Sequence, residues 1–330
     1  MGIPMKQLAH LGEITYASGA RVPFNIPRLG VLFMLMLRLK FTITNGGTAA
    51  AAPFHQTLAR IIKKLELTVN GRDTIVNLSG FSLASLAFLD NGIIGKGMGS
   101  TVVLTGSAAT QYTVHLPLWL ACPRGIRPDD TGLDFRKGIE AVLNVEFANS
   151  DCSDIYGTPN SAAISGVTCE ISALSELDPP ALADGKPQSY AVRTLDQIVT
   201  ELTASNSALQ IPLDKGSGVF IRSVMMETLA ADVAVDTILA NGMVELGVGN
   251  VVIDKVKAEA IKNVNYIDGR ATEQTGVYQL FKPIFGSGQT MVPTKGLTSD
   301  LVLKLDATKV SGVNKIITTR EGFRDLIAFG

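Results

Sequence analysis

At 330 residues the chain exceeds what one hydrophobic core ordinarily organises, which predicts two domains. Apolar side chains make up 46% and charged ones 18%, against about 25% charged in an average globular protein, so part of the surface is expected to be buried against other subunits. The formal net charge of −1 excludes the basic field that nucleic-acid binding requires, and no specific nucleic-acid partner is expected.

Residues 1–13 contain no long apolar stretch of the secretory kind, and Lys6 stands where a myristoylation motif needs Ser or Thr. The apolar run 29–37 is too short to span a bilayer and meets Arg38 and Lys40 at once. From Phe33 the odd positions Leu35, Leu37, Leu39, Phe41 and Ile43 stay apolar while Arg38, Lys40, Thr42 and Thr44 alternate with them. A period of two predicts a long strand with one buried face. Leu65 to Val69 alternates in the same way and runs into Asn70-Gly71, a hairpin signal. Residues 81–89 suit a helix or a strand equally. Strands are predicted at 101–104, 112–120, 142–147 and 167–171, and 128–137 reads as a loop carrying one helical turn. Helices are predicted at 195–202 and 256–264.

Compared with itself, the chain shows six matches in the same order. Phe24-Asn25-Ile26-Pro27, followed by Val31 to Phe33, matches Leu209-Gln210-Ile211-Pro212, followed by Val219 to Ile221. Leu67 to Gly71 matches Ile238 to Gly242, and Leu89-Asp90-Asn91-Gly92 matches Ile267-Asp268-Gly269. Leu116-Pro117-Leu118 matches Lys282-Pro283-Ile284, Leu143 to Phe147 matches Leu301 to Leu305, and Gly166 to Ile171 matches Gly312 to Ile317. The offset between copies shrinks along the chain, as expected of a duplication whose second copy has shorter loops. Asp178-Pro179-Pro180 and Gly185-Lys186-Pro187 break regular structure between them. The division expected is an arm at 1–20, a first domain at 21–178, a linker at 179–208 with its short helix, and a second domain at 209–330.

No set of residues announces chemistry. The glycine-rich stretch 92–100 lacks the spacing of a phosphate loop, and Gly247-Val248-Gly249 and Gly286-Ser287-Gly288 lack the dinucleotide pattern. Cys122, Cys152 and Cys169 read as isolated thiols, and His10, His55 and His115 stand far apart. Asp129-Asp130 and Asp151 with Asp154 suit a hard cation or, more plainly, turns and caps. No catalytic, cofactor-binding or metal-ligating residue is assigned, and no cofactor or small-molecule substrate is expected. The chain does not read as an enzyme.

Two β domains of unequal length, each opening on an Ile-Pro segment (Ile26-Pro27, Ile211-Pro212) and a long apolar strand (from Val31 and from Val219), with a strand-turn-strand at Leu65 to Ile75, resemble a known family. The resemblance is to the double jelly-roll major capsid proteins of tailless icosahedral viruses with an internal membrane, the tectivirus and corticovirus-like lineage. It spans about residues 20–323. It implies an all-β fold of two consecutive eight-stranded jelly rolls with a few short helices. It further implies a homotrimer whose six rolls form a pseudo-hexameric capsomer, partnered by neighbouring capsomers and by minor capsid or penton proteins in a virion of, for instance, a bacteriophage, assembled in the host cytoplasm. By the same resemblance the arm, with Lys6 and His10 among Met5, Leu8 and Leu11, would face an internal lipid membrane or lie between capsomers. Arg124, Arg127, Asp129 and Asp130 would supply ion pairs between subunits.

The competing reading is a β-sandwich binding module of the carbohydrate-binding or adhesin kind. Sugar stacking would need exposed aromatics, whereas the single Trp119 lies in an apolar strand and is expected in the core.

Overall fold

The structure is a computed structural model and describes residues 6–91, 101–122, 131–135, 139–177, 191–214, 217–267, 274–281 and 292–325. The chain divides between Thr194 and Leu195 into two compact units, the second ending at Arg324.

The first unit contains β1 (Lys6–Thr15), β2 (Arg21–Ile26), β3 (Val31–Asn45), β4 (Ala52–Pro53), β5 (Ile62–Val69), β6 (Asp73–Leu78), α1 (Gly80–Asn91), β7 (Ala109–Trp119), β8 (Leu133–Asp134), β9 (Ala141–Phe147), β10 (Tyr156–Thr158) and β11 (Ala162–Glu176). Eight of these strands form two antiparallel sheets, in the orders β1-β11-β3-β7 and β2-β9-β5-β6. Counting those eight along the chain, one sheet takes the first, eighth, third and sixth, and the other the second, seventh, fourth and fifth.

The long strand predicted from alternation is β3. Leu35, Leu37, Leu39, Phe41 and Ile43 are fully buried, and they lie beside Ala173, Ile171 and Cys169 of β11 and Leu118, Leu116 and Val114 of β7. The second sheet contributes the rows Leu65–Val145–Val22, Leu67–Leu143–Phe24 and Val69–Ala141–Ile26, buried except at Val22 and Phe24, which are half-buried. Burying such rows is the main favourable term in folding, about 1.5–3 kcal/mol per large aliphatic side chain.

The Asn70-Gly71 hairpin joins β5 and β6 as read from the sequence. Asn70 (φ 52°) and Gly71 (φ 65°) are both left-handed, and the Arg72 N–H donates to the Val69 carbonyl at 3.1 Å, which is a type I′ turn. Residues 81–89, undecided between helix and strand, are α1. Ser79 Oγ accepts from the Ser82 N–H at its start. Gly80 admits a close approach there, since a Cβ would lie 2.2 Å from the Ala59 carbonyl oxygen.

β12 (Ala191–Leu202) crosses the division between the units. The second unit continues with β13 (Asn206–Asp214), β14 (Phe220–Ala230), β15 (Val233–Ala234), β16 (Met243–Val248), β17 (Val251–Lys257), α2 (Ala258–Ile267), β18 (Val277–Phe281), β19 (Val292–Pro293), β20 (Leu301–Ala307) and β21 (Asn314–Asp325). Its sheets run β12-β21-β14-β18 and β13-β20-β16-β17, the same winding as in the first unit. The core joins Val224, Met226, Tyr278, Leu280 and Ile316 to Ile211, Val244, Leu246, Leu303 and Leu305.

The duplication is therefore present strand for strand. β2 corresponds to β13, β3 to β14, β9 to β20, β11 to β21 and α1 to α2, so three of the six sequence matches fall on equivalent elements, and Leu89 and Ile267 of a fourth lie near the ends of α1 and α2. The Asn-Gly match does not: Asn70-Gly71 follows its strand, whereas Asn241-Gly242 precedes β16. The match at 282–284 lies outside the described residues.

Three expectations are corrected. Residues 195–202 are the greater part of β12, not a helix within a linker, because Leu195 and Leu202 are buried in a sheet. Residues 6–15 of the expected arm are β1, paired along its length with β11. Residues 101–104 make a single bridge, Leu104 to Ala51, rather than a strand. The helix read at 256–264 is present as α2, starting at Ala258.

Candidate assembly surface

The residues flagged for chemistry are scattered. Among the described residues no three of His, Cys, Asp and Glu gather to hold a metal ion. Cys122, Cys152 and Cys169 are all buried and unbridged. Burial pushes the Cys152 and Cys169 thiols up to about 12, which suits core packing and opposes nucleophilic use. His10 lies on β1, His55 packs edge-on against Phe81, and His115 lies on β7 opposite Arg38.

Asp151 and Asp154 shape one turn. Asp151 accepts from the N–H and hydroxyl of Ser153 at 3.0 and 2.7 Å, and Asp154 accepts from the Asn149 N–H at 2.7 Å and faces Lys63 at 3.4 Å. Gly247 and Gly249 belong to the β16–β17 hairpin. Residues 92–100, Arg124, Arg127, Asp129, Asp130 and 286–288 lie outside the described residues, as do 128–130 and 136–137 of the loop read at 128–137.

What the first unit does assemble is a surface. β1, β11, β3 and β7 are in register across four strands, so their outward side chains form rows. One row is Leu8–Leu174–Met34–Trp119, the next His10–Ser172–Met36–Pro117, the next Glu13–Glu170–Arg38–His115, and the last Thr15–Thr168–Lys40–Thr113. With strands about 4.8 Å apart, each row is about 14 Å wide. The first row is apolar, and Leu8 is 67% exposed at its edge. Trp119 is half-buried in this outward row and not in the core, since its neighbour Leu118 takes the inward place opposite Leu35.

The third row is electrostatic. Arg38 Nη1 donates to Glu170 Oε2 at 2.7 Å, which holds the Glu170 carboxyl below its ordinary range, with Lys40 and His10 adding to the effect. Burial, and then the charge of Arg38, push the His115 imidazole below its ordinary pKa against the pull of Glu170. An apolar row bordered by ion-paired and neutral polar rows has the layout of an interface patch. The sequence carried a trace of it in the alternation of Lys6, Leu8 and His10 on what is now β1.

No family model matches the sequence, and no curated protein matches it. Solved structures do match along nearly the whole chain. The structure of the STIV MCP is similar with a TM-score of 0.75 at 14% identity, covering 96% of this chain and 97% of that one. The Faustovirus major capsid protein is similar with a TM-score of 0.64 at 10% identity, covering 99% and 91%. The major capsid protein of bacteriophage PM2 is similar with a TM-score of 0.59 at 14% identity, covering 97% and 98%. With the winding of eight strands seen twice, this decides the fold. The chain is a double jelly roll. In it α1 and α2 occupy the same place in each roll, between the fifth and sixth of its eight strands, and β4 and β15 each follow the third strand of their roll.

Among the described residues, no helix of the double jelly roll is long and apolar enough to cross a membrane. At identities of 14% and below, the likeness establishes architecture, and it is the open sheet face that bears on what the molecule does.

Proposed function

We propose that this double jelly roll is a major capsid protein, acting by assembly and not by catalysis, whose homotrimers tile an icosahedral virion shell. The observation that supports it is the match of both rolls, end to end, with capsid proteins of three different viruses. In this reading each roll is a domain that begins one strand earlier than the sequence pairing indicated, at β1 and at β12. Six rolls from three chains give a near-hexagonal footprint, so one kind of subunit covers a flat facet beside its neighbouring capsomers and minor vertex proteins. The low charge and the outward apolar row fit a chain that buries several sides in neighbours.

Light scattering coupled to size-exclusion chromatography tests the reading. Chains of 35.0 kDa are expected to run as trimers of about 105 kDa or as larger shells. A monomer at every accessible concentration would overturn it, and electron micrographs of particles would extend it.

A further inference from the structure

An asparagine followed by glycine can react with its own backbone, because a residue without a Cβ leaves the asparagine amide open to attack by the next nitrogen. The chain has four such pairs, Asn45-Gly46, Asn70-Gly71, Asn91-Gly92 and Asn241-Gly242, and Gly92 lies outside the described residues. The reaction needs water at the pair, an asparagine side chain that can swing towards the following nitrogen, and a following N–H that no carbonyl holds.

Two pairs fail. Asn45 is fully buried, its Nδ2 donates to the Ala49 and Leu104 carbonyls at 3.2 and 3.4 Å, and its Oδ1 accepts from the Gly47 N–H at 3.1 Å. The Gly46 N–H donates to the Ser161 carbonyl at 3.3 Å. Asn241 is exposed, but Gly242 is buried, donates to the Leu239 carbonyl at 2.9 Å, and lies so near the Asp306 carbonyl that a Cβ there would strike it. A nitrogen held in that way neither gives up its proton nor moves towards a side chain.

Asn70-Gly71 differs. Both residues are exposed at the tip of the β5–β6 hairpin, a Cβ on Gly71 would meet nothing within 4 Å, and among the described residues the Gly71 N–H has no acceptor. What restrains the pair is a small surface set. Asn70 Oδ1 accepts from the Glu140 N–H at 2.9 Å, the Asn70 N–H donates to the Glu140 carbonyl at 2.8 Å, and the Arg72 N–H closes the turn on Val69 at 3.1 Å. Exposed bonds at a hairpin tip belong to the part of a fold that opens at least cost.

We propose that Asn70 is a self-modification site, deamidated by its own backbone with water as the co-reactant. The Gly71 nitrogen loses its proton to hydroxide and forms a bond to Asn70 Cγ. The Cγ–Nδ2 bond breaks, and the nitrogen takes a proton from water and leaves as ammonia, so that a succinimide ring remains. Water then opens the ring. Cleavage at Cγ gives aspartate, and cleavage at the main-chain carbonyl gives isoaspartate, whose chain runs on through Cγ. One water enters, one ammonia leaves, and nothing is oxidised. Either product adds a negative charge beside Glu140, which Arg28 faces at 3.2 Å. The isoaspartate also lengthens the main chain within the turn, so the Arg72 N–H no longer meets the Val69 carbonyl and the type I′ geometry is lost.

Folded full-length protein aged at mildly alkaline pH, then digested with trypsin and mapped by mass spectrometry, tests the site. The peptide 65–72 is expected to exchange the mass of an amide for that of a carboxylic acid and to split into two forms. It should do so at least about tenfold faster than the peptides carrying Asn45 and Asn241, and in urea the three should react alike. Asn70→Gly removes the amide and keeps a turn that favours glycine. It is expected to show no new acidic form and to hold its denaturant midpoint on ageing, while the midpoint of the native chain falls. The comparison within the native chain stands by itself should that variant not fold. Reaction at Asn70 no faster than at Asn45 or Asn241 in the folded chain, or reaction at Asn70 in urea alone, would overturn the proposal.

Discussion

The Arg193 guanidinium holds the Asp90 carboxylate with two parallel hydrogen bonds, Nη1 to Oδ2 at 2.8 Å and Nη2 to Oδ1 at 3.1 Å, and only 1% of Arg193 is exposed. Asp90 lies in the last turn of α1, where the helix dipole disfavours a negative charge, and the guanidinium offsets that cost. Removing one partner strands the other charge away from water. Arg193→Met is expected to cost about 3–5 kcal/mol, and Arg193→Met with Asp90→Leu to recover most of that loss. Urea unfolding of the two variants measures it. An equal loss in the single and double variants would show that packing, not the pair, is responsible.

Gly71 tests backbone strain on its own, because a Cβ there would meet nothing within 4 Å. With φ at 65°, Gly71→Val is expected to destabilise by about 1–2 kcal/mol. Gly71→Asn should cost less, since Asn tolerates the left-handed region. A loss for valine no greater than for asparagine in thermal unfolding would refute the turn assignment.

Stability is expected to fall at both ends of the pH scale, for separate reasons. At Asp214 burial opposes ionisation. Hydrogen bonds from Thr294 and Ser217 and the charge of Arg320, 2.9 Å away, outweigh it, and the folded pKa lies below 3.8. Glu170 and Glu245 are likewise lowered from 4.5 by Arg38 and Lys304. The unfolded chain therefore takes up these protons first, and stability is lost as pH falls below about 4.5 and through the folded values. Cys152 and Cys169 work in the other direction: raised from 9.0 to about 12, they draw stability down as pH climbs between those values. Denaturant midpoints across pH would show a plateau between the two limbs. Asp214→Asn should lower the plateau and flatten the acid limb, and an unchanged acid limb would contradict the assignment to Asp214.

The thiols give a simple readout of the cores. All three cysteines are buried, so an aromatic disulfide reagent at mildly alkaline pH is expected to label none in the folded chain and three after denaturation. Labelling of the folded protein at a rate independent of its unfolding would contradict their placement.

The elements that could be read in advance were those whose pattern has a single cause. β3 alternates because one face meets a core and the other does not, and Asn70-Gly71 can serve few conformations besides a type I′ turn. α1 resisted because a helix buried all round carries no stripe, and Phe81, Leu83, Ala84, Leu86, Ala87 and Phe88 are apolar in every direction. β12 misled because Leu195, Ile198, Val199 and Leu202 happen to fall at helical spacing, and sheet pairing overrides that preference. The open face was beyond reach for a different reason. Leu8, Leu174, Met34 and Trp119 come from four strands as far as 166 residues apart, and only register brings them into one row.

The pairing of β1 with β11 sets an order of events during synthesis. Lys6 meets Glu176, so β1 leaves the ribosome well before its partner and cannot be enclosed until β11 has followed. At about 5–20 residues per second that is a wait on the order of ten seconds. For that time Leu8 and Leu11 have no sheet of their own. A polysome making many copies side by side would hold many such strands at once, and keeping them apart falls to whatever meets the nascent chain first.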